Sequence, residues 1–541
     1  MATTSSRMVG QERVGIGELT LAVTERFGAA VSPAATVNGC ALSLSVNQPE
    51  SLPAISRFLF WDMACTFGGI VAEQKSSHWQ LAYLFLLPGA GWISAALQFP
   101  LDEQRVPSIS PDVHAADWHE REVEDLFGIH FANHPRLGDF ILHDQVWQES
   151  IAPMRKGFDP NQSHFDRYPD VHWRPLLVVQ DPGAFAMPVG PVYEGGVGES
   201  LHFLLETVGE DVIRASPRLF YKYRAVEKIA EGKSSGDVLL LAERFSATSA
   251  CAHSLAYCQA IEQIHSAEVP PRAVHLRVAL CELERLRHHA GAIASICEST
   301  ALAVAAAHAA IIEEELLRAS CIFAGHRYLF GLNIPGGLQR DFERDECANM
   351  LVSVDKAEAE LRALEGRLRY SSSFLDRLEA VGAVDPERAR DLNLVGPVGR
   401  ASGISADLRK VCPYLGYGAY KFEVPCELEG DGYARLRVLF AEAAQSVRLI
   451  RQALESLEPG AVHVAMAESR PGAALGWVEA PRGAALHWVS IDETGKVDRY
   501  RAITPSFNNW LGFHAAAENF AFQDFPIILA TFGLSAGECD R

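Results

Sequence analysis

Apolar residues recur at two different periods along this chain, and the change of period divides it. Up to about residue 174, short apolar runs alternate with helical stretches. Trp79–Leu87 and Gly91–Leu97 read as strands, and Pro53–Thr66 and Ala116–Phe127 as helices. Lys156 to Asp170 is polar and contains Pro160, Asn161 and Gln162, which suits a linker. Beyond Pro188 the texture changes. Leu201–Thr207 and Asp211–Ala215 alternate like a hairpin around Gly209. Long 3.6-residue patterns follow at Ala252–Ile264, Pro271–Ala294, Ser299–Phe323, Arg340–Glu365 and Tyr433–Leu457, with Gly366 suited to cap the fourth. That fourth pattern alternates acid and base (Asp355, Lys356, Glu358, Glu360, Arg362), as a solvated face does. Ala484–Ile491 and Arg499–Ile503 return to strand character. The expected fold class is α+β: an N-terminal α/β domain over 14–174, then a mainly helical domain with peripheral strands over 186–541.

Composition narrows the function. With 541 residues, 48% of them hydrophobic, the chain can bury large cores. Its net charge of -20 makes nucleic acid and anionic lipid poor partners. The 11 cysteines are scattered singly and odd in number, which argues for reduced thiols rather than a disulfide framework. Met1–Arg13 is polar, so no signal peptide is expected. The most apolar helical run, Ala301–Ile312, ends at Glu313-Glu314-Glu315 and is too short to span a bilayer. The expected location is the cytoplasmic face of the cell membrane, with attachment through partner subunits.

Residues 119 to 142 hold an acidic amphipathic pattern, His119-Glu120-Arg121-Glu122-Val123-Glu124-Asp125-Leu126-Phe127, ending at Gly128. Ile129-His130-Phe131 and His134-Pro135 follow. The plain reading of Glu120, Glu122, Glu124 and Asp125 is a solvated helix face. The whole segment resembles the signature of the smaller peripheral-arm subunit of respiratory complex I, a non-catalytic domain that docks arm subunits together.

From Pro188 the chain resembles the quinone-site subunit of complex I and the large subunit of energy-converting nickel-iron hydrogenases of the formate hydrogenlyase type. The residues that carry this are Pro188-Val189-Gly190-Pro191, Glu282-Leu283-Glu284-Arg285-Leu286 with His289, and Gly396-Pro397-Val398-Gly399-Arg400. Glu479-Ala480-Pro481-Arg482-Gly483 and Thr504-Pro505-Ser506-Phe507-Asn508 complete them. Locally, Glu282 and Arg285 suit an i,i+3 pair, His289 a hydrogen-bonded core histidine, and Pro481-Arg482-Gly483 a turn.

The resemblance implies two C-x-x-C pairs that hold a nickel-iron centre. Here Ser246 and Ser249 take the first pair's places, and Ser535 and Glu538 the second's. Hydroxyl and carboxylate oxygens are hard donors and do not replace thiolates at a soft site. Cys251 and Cys539 stand one or two residues off register and are expected as buried small side chains, with His253 beside them. The same resemblance makes Glu199 a proton-relay candidate and His202 a quinone-headgroup contact. The quinone-binding tyrosine's place is Ala247, and its neighbouring aspartate's is Ser246. Tyr193 and Tyr223 are substitute donors for a bound ligand.

The expectation is therefore a peripheral-arm oxidoreductase subunit that holds no metal of its own. It pairs with an iron–sulfur small subunit and sits above antiporter-like and quinone-chamber-like membrane subunits. Two alternatives stand beside it: a redox-active subunit that reduces a quinone or protons, and a structural relic.

Overall fold

The computed structural model describes residues 14–138, 140–143, 147, 151–161, 178–179, 182–194, 199–466 and 470–541, with backbone only at 191–194 and 199–200. The N-terminal part opens with helix α1 (Ile16–Phe27), then strands β1 (Val31–Pro33), β2 (Cys40–Val46), β3 (Thr66–Gln74), β4 (His78–Leu87) and β5 (Gly91–Pro100). They form one sheet of order β1-β2-β5-β4-β3. Only the β2–β5 pairing is parallel. Strand β4 and the edge strand β3 are buried on both faces, so they read as continuous apolar runs rather than alternating ones.

Helix α2 (Asp117–Phe127) lies against β3 and ends at Gly128, whose φ of 69° is the left-handed cap conformation. The acidic face of α2 is not solvated as expected. Glu120 is fully buried and Glu122 is 2% exposed, while Glu124 and Asp125 are half-buried. Each buried carboxylate has donors waiting for it. Glu120 accepts from Ser108 Oγ, Ser110 Oγ and the Ile109 amide.

The expected helix Pro53–Thr66 is a shorter one, Leu52–Arg57, that loosens into a wide turn at Phe58–Asp62. Ala64 then takes a positive φ of 54°, and Thr66 already belongs to β3. Of the expected linker, residues 162–170 lie outside the described residues. Its start is held down, because Lys156 Nζ donates to the Asp498 carbonyl at 2.6 Å.

The second part begins with β6 (Ala184–Glu194), β7 (Glu199–Val208) and β8 (Asp211–Arg218), an antiparallel hairpin series. Gly209, at φ 63°, makes the β7–β8 turn as expected. The helices follow: α3 (Ala250–His265), α4 (Pro271–Ser299), α5 (Ala303–Ala324), α6 (Arg344–Leu368) and α7 (Gly432–Glu455). Gly366 does not cap α6. The helix runs past it, because Leu364 and Leu368 are both buried, four residues apart on one face, and hold the last turn to the core.

Strands β9 (Gly472–Ala480), β10 (Gly483–Ile491) and β11 (Val497–Ile503) form an antiparallel meander. This sheet packs on α3 so closely that a Cβ on Gly476 would stand 1.9 Å from the Ala256 carbonyl oxygen. Helices α8 (Pro505–Ala516) and α9 (Phe525–Phe532) precede the final residues. Among the described residues no helix is long and apolar enough to cross a membrane.

The two parts share a buried polar joint. Arg541 donates to Glu122 at 2.8 Å and to Glu227 at 3.1 Å. Arg501 pairs with the same two carboxylates, and Arg499 reaches Glu227 at 2.8 Å. His119 Nε2 lies 3.0 Å from Asn508 Oδ1. Burial works against ionising Glu227, but Arg501, Arg499 and Arg541 outweigh it and hold the carboxyl at about 2.

Candidate functional site: a carboxylate where four ligands are expected

Three local structures bring the site together. A 3-10 turn, Ala247–Ser249, leads into α3 and sets Ser246 and Ser249 inward. Gly533, at φ 58°, ends α9 and turns the chain toward Ser535 and Glu538. Between them, the Pro481-Arg482-Gly483 turn joins β9 to β10 and delivers Arg482. Gly396 lets that turn come close: a Cβ there would meet the Arg482 carbonyl oxygen at 2.0 Å.

The four positions marked from the sequence do converge, around one carboxylate. Glu538 is fully buried. Its Oε1 accepts from Ser246 Oγ at 3.2 Å, Ser249 Oγ at 3.4 Å and Arg482 Nη1 at 3.2 Å. Its Oε2 accepts from Ser506 Oγ at 2.6 Å. The Ser535 hydroxyl is turned to its own loop, where it accepts from the Glu538 amide at 3.2 Å. Burial disfavours the charge on Glu538. Arg482, His253 and the hydroxyls of Ser506 and Ser246 more than offset this and hold its carboxyl below the usual range.

This donor set does not fit a nickel-iron centre. It offers oxygens instead of thiolates, and those oxygens already have partners. The Arg482 guanidinium also occupies the coordination space with a positive charge. Cys251 is buried with its Sγ 3.6 Å from Cys281 Sγ, and Cys539 Sγ points to the Ser535 carbonyl. The contact with Cys281, then burial, push the Cys251 thiol well up, so it is a small apolar group here.

Histidines flank the cluster on two sides. His253 Nδ1 lies 3.0 Å from His487 Nε2, and His487 Nδ1 lies 3.0 Å from the Tyr500 hydroxyl. His253 Nε2 is buried without a partner among the described residues. Burial pushes His253 down to about 4 although Glu538 pulls the other way. On the other side His289 Nε2 meets Glu442 at 3.0 Å, the expected core histidine bond. Glu442 joins a larger buried network. Arg400 bridges it to Glu479, and the expected Glu282–Arg285 pair, at 3.3 Å, extends to Arg409 and Tyr417.

The remaining sequence candidates lie apart. His202 is half-buried on β7 opposite Arg218 of β8. Burial, then Arg218, push its ring down, so it is neutral near pH 7. Tyr223 packs on Phe220 near the Glu122–Glu227 joint, and burial with those carboxylates pushes its phenol up. Ala247, in the tyrosine's place, is exposed. The side chains of Tyr193 and Glu199 lie outside the described residues. Sequence reasoning took Arg482 for a turn residue and missed the roles of Ser506, His487 and Glu442. Arg482 and Ser506 stood in quoted motifs, which was the available signal.

Comparison with known proteins agrees with this architecture. Residues 46–164 match the family of the respiratory-chain NADH dehydrogenase 30 Kd subunit, and residues 305–471 and 465–541 that of the 49 Kd subunit. The chain is 30% identical to formate hydrogenlyase subunit 5 of Escherichia coli over 490 residues, 89% of this chain and 85% of that one. It is 28% identical to hydrogenase-4 component G of Escherichia coli over 488 residues, covering 89% and 84%. It is 26% identical to the C/D subunit of NADH-quinone oxidoreductase from Rhodopseudomonas palustris over 589 residues, covering 97% and 99%. The chain belongs to the family of fused peripheral-arm subunits that links complex I to the formate hydrogenlyase type of hydrogenase.

Proposed function

We propose that this chain is the arm subunit of a membrane-attached oxidoreductase complex in which hydrogen activation has been lost. It docks an iron–sulfur small subunit and passes the effect of electron transfer to antiporter-like and quinone-chamber-like membrane subunits, coupling it to ion translocation. It sits on the cytoplasmic face and carries no metal of its own; the iron–sulfur cluster belongs to the small subunit. The observation that supports this most is the Glu538 carboxylate, bound by Ser246, Ser249, Ser506 and Arg482 where a metal's ligands are expected. Metal and sulfide analysis of the purified complex, with hydrogen uptake assayed on the same sample, tests it. Iron and sulfide without nickel or hydrogen turnover is the expected result. Stoichiometric nickel with turnover overturns it.

A second reading has one observation in its favour. His202 is half-buried and neutral, so it can donate a hydrogen bond to a quinone carbonyl. Electron flow to added quinone that falls on His202→Ala supports this reading, and unchanged flow removes it.

A further inference from the structure

Beside the Glu538 cluster lies a cavity of about 20 Å³. Arg482 and His288 line it, with Ala292, Val398, Thr531 and Phe532. That volume is enough for about one water, given roughly 10–15 Å³ per molecule by this measure. Its two polar walls are complementary for the tautomers that the histidines' partners require.

Glu442 is held ionised by Arg400 and His289 against the cost of burial. His289 Nε2, 3.0 Å away, is therefore the protonated nitrogen. Burial keeps the His289 ring neutral despite Glu442, so its Nδ1 is a lone pair. His288 Nδ1 lies 3.4 Å from that lone pair and must carry the donating hydrogen. Burial, then Arg482, keep His288 neutral too, which leaves its Nε2 as an acceptor. Across the cavity, Arg482 spends Nε on the Gly533 carbonyl and Nη1 on Thr248 and Glu538. Among the described residues this leaves Nη2 as its spare donor.

We propose that this cavity holds one water between Arg482 and His288, and that the water, His288 and His289 form a proton relay from the cavity beside Arg482 to Glu442. An excess proton entering from solvent through the water binds His288 Nε2 and releases the Nδ1 proton to His289 Nδ1. That ring releases its Nε2 proton to Glu442, which holds it only in passing because Arg400 keeps the carboxyl ionised, and the reverse passage restores both rings. The relay rests on the coupling role proposed above, since it joins the site of the former ligands to the Arg400–Glu479–Glu282 network.

The test is ring N–H exchange with solvent in the full chain, labelled with ¹⁵N-histidine and assigned with His288→Gln and His289→Gln. The expected result is Nδ1-protonated His288 and exchange of the His289 Nε2 proton within minutes, slowed at least tenfold by the cavity-filling Ala292→Leu. Exchange as slow as the buried α4 amides in the wild type overturns the relay even if Ala292→Leu does not fold. So does an Nε2-protonated His288, or a rate that Ala292→Leu leaves unchanged. No partner subunit or turnover enters this measurement. Its failure is therefore separable from failure of the coupling role, which metal analysis and hydrogen uptake test.

Discussion

Glu538 accepts a hydrogen bond from Ser246 across 292 residues of chain, at 3.2 Å and out of reach of solvent. The contact closes the C-terminal segment onto the start of α3. Its energetic weight lies in the charge pair with Arg482. The Arg482 side chain is only 15% exposed, and Glu538→Ala leaves it without its counter-charge. Removing one partner of a buried pair costs about 3–5 kcal/mol. Denaturant unfolding is expected to show a loss of that size. Arg482→Met combined with Glu538→Ala is expected to lose less than the sum of the two single variants.

Gly396 and Arg482 make a second checkable contact. At φ 68°, with 2.0 Å from an added Cβ to the Arg482 carbonyl oxygen, Gly396→Ala meets both strain and a backbone clash. The strain alone costs on the order of 1–3 kcal/mol. The variant is expected to displace the Arg482 turn. This reads out as a lower thermal midpoint and faster proteolysis of the C-terminal segment.

The joint between the two parts is acid-sensitive in a defined window. The carboxyl of Glu227 is depressed from an ordinary 4.5 to about 2, so its stabilisation is complete above 4.5 and disappears as pH falls toward 2. Thermal midpoints are expected to drop through that window, with a shallower slope in Glu227→Gln. Glu122→Gln removes the charge opposite Arg501 and Arg541 at neutral pH and is expected to speed cleavage between the two parts.

His253 acts in a separate window with a different origin. Its folded ring, at about 4, binds a proton less readily than the unfolded ring at 6.5. Stability therefore falls as pH drops below 6.5 and the loss levels off below 4, amounting to roughly 3 kcal/mol for this group. His253→Gln is expected to remove one proton's share of that slope. An unchanged slope would show that His253 is already protonated in the folded chain.

Replacing Ser246, Ser249, Ser535 and Glu538 together by cysteine restores four sulfur donors and removes the charge that holds Arg482. Metal titration is expected to show thiolate binding of zinc or nickel in that variant. The variant that keeps Glu538 is expected to bind far more weakly, because Arg482 stays paired in the coordination space.

Much of the fold was legible because it depends on local periodicity. The expected helix Pro271–Ala294 lies within Pro271–Ser299, and Tyr433–Leu457 matches Gly432–Glu455 to within two residues at each end. The errors came where tertiary packing overrode a local signal. Leu364 and Leu368 carry α6 past Gly366. The wide turn at Phe58–Asp62 shortens a helix that the apolar pattern alone extends.

The sequence by itself determined the order of elements, the family, and the absence of cysteine from four positions, since each is a property of residue identity and spacing. It did not determine what fills those positions. Glu122 looked like a solvated acid until Arg501 and Arg541, 379 and 419 residues away in the chain, were seen to enclose it. Arg482 looked like part of a turn until the close approach at Gly396 placed it against Glu538. Only the tertiary structure decided these points, because the energy of a buried charge depends on which distant donors reach it, and no local pattern along the chain encodes that distance.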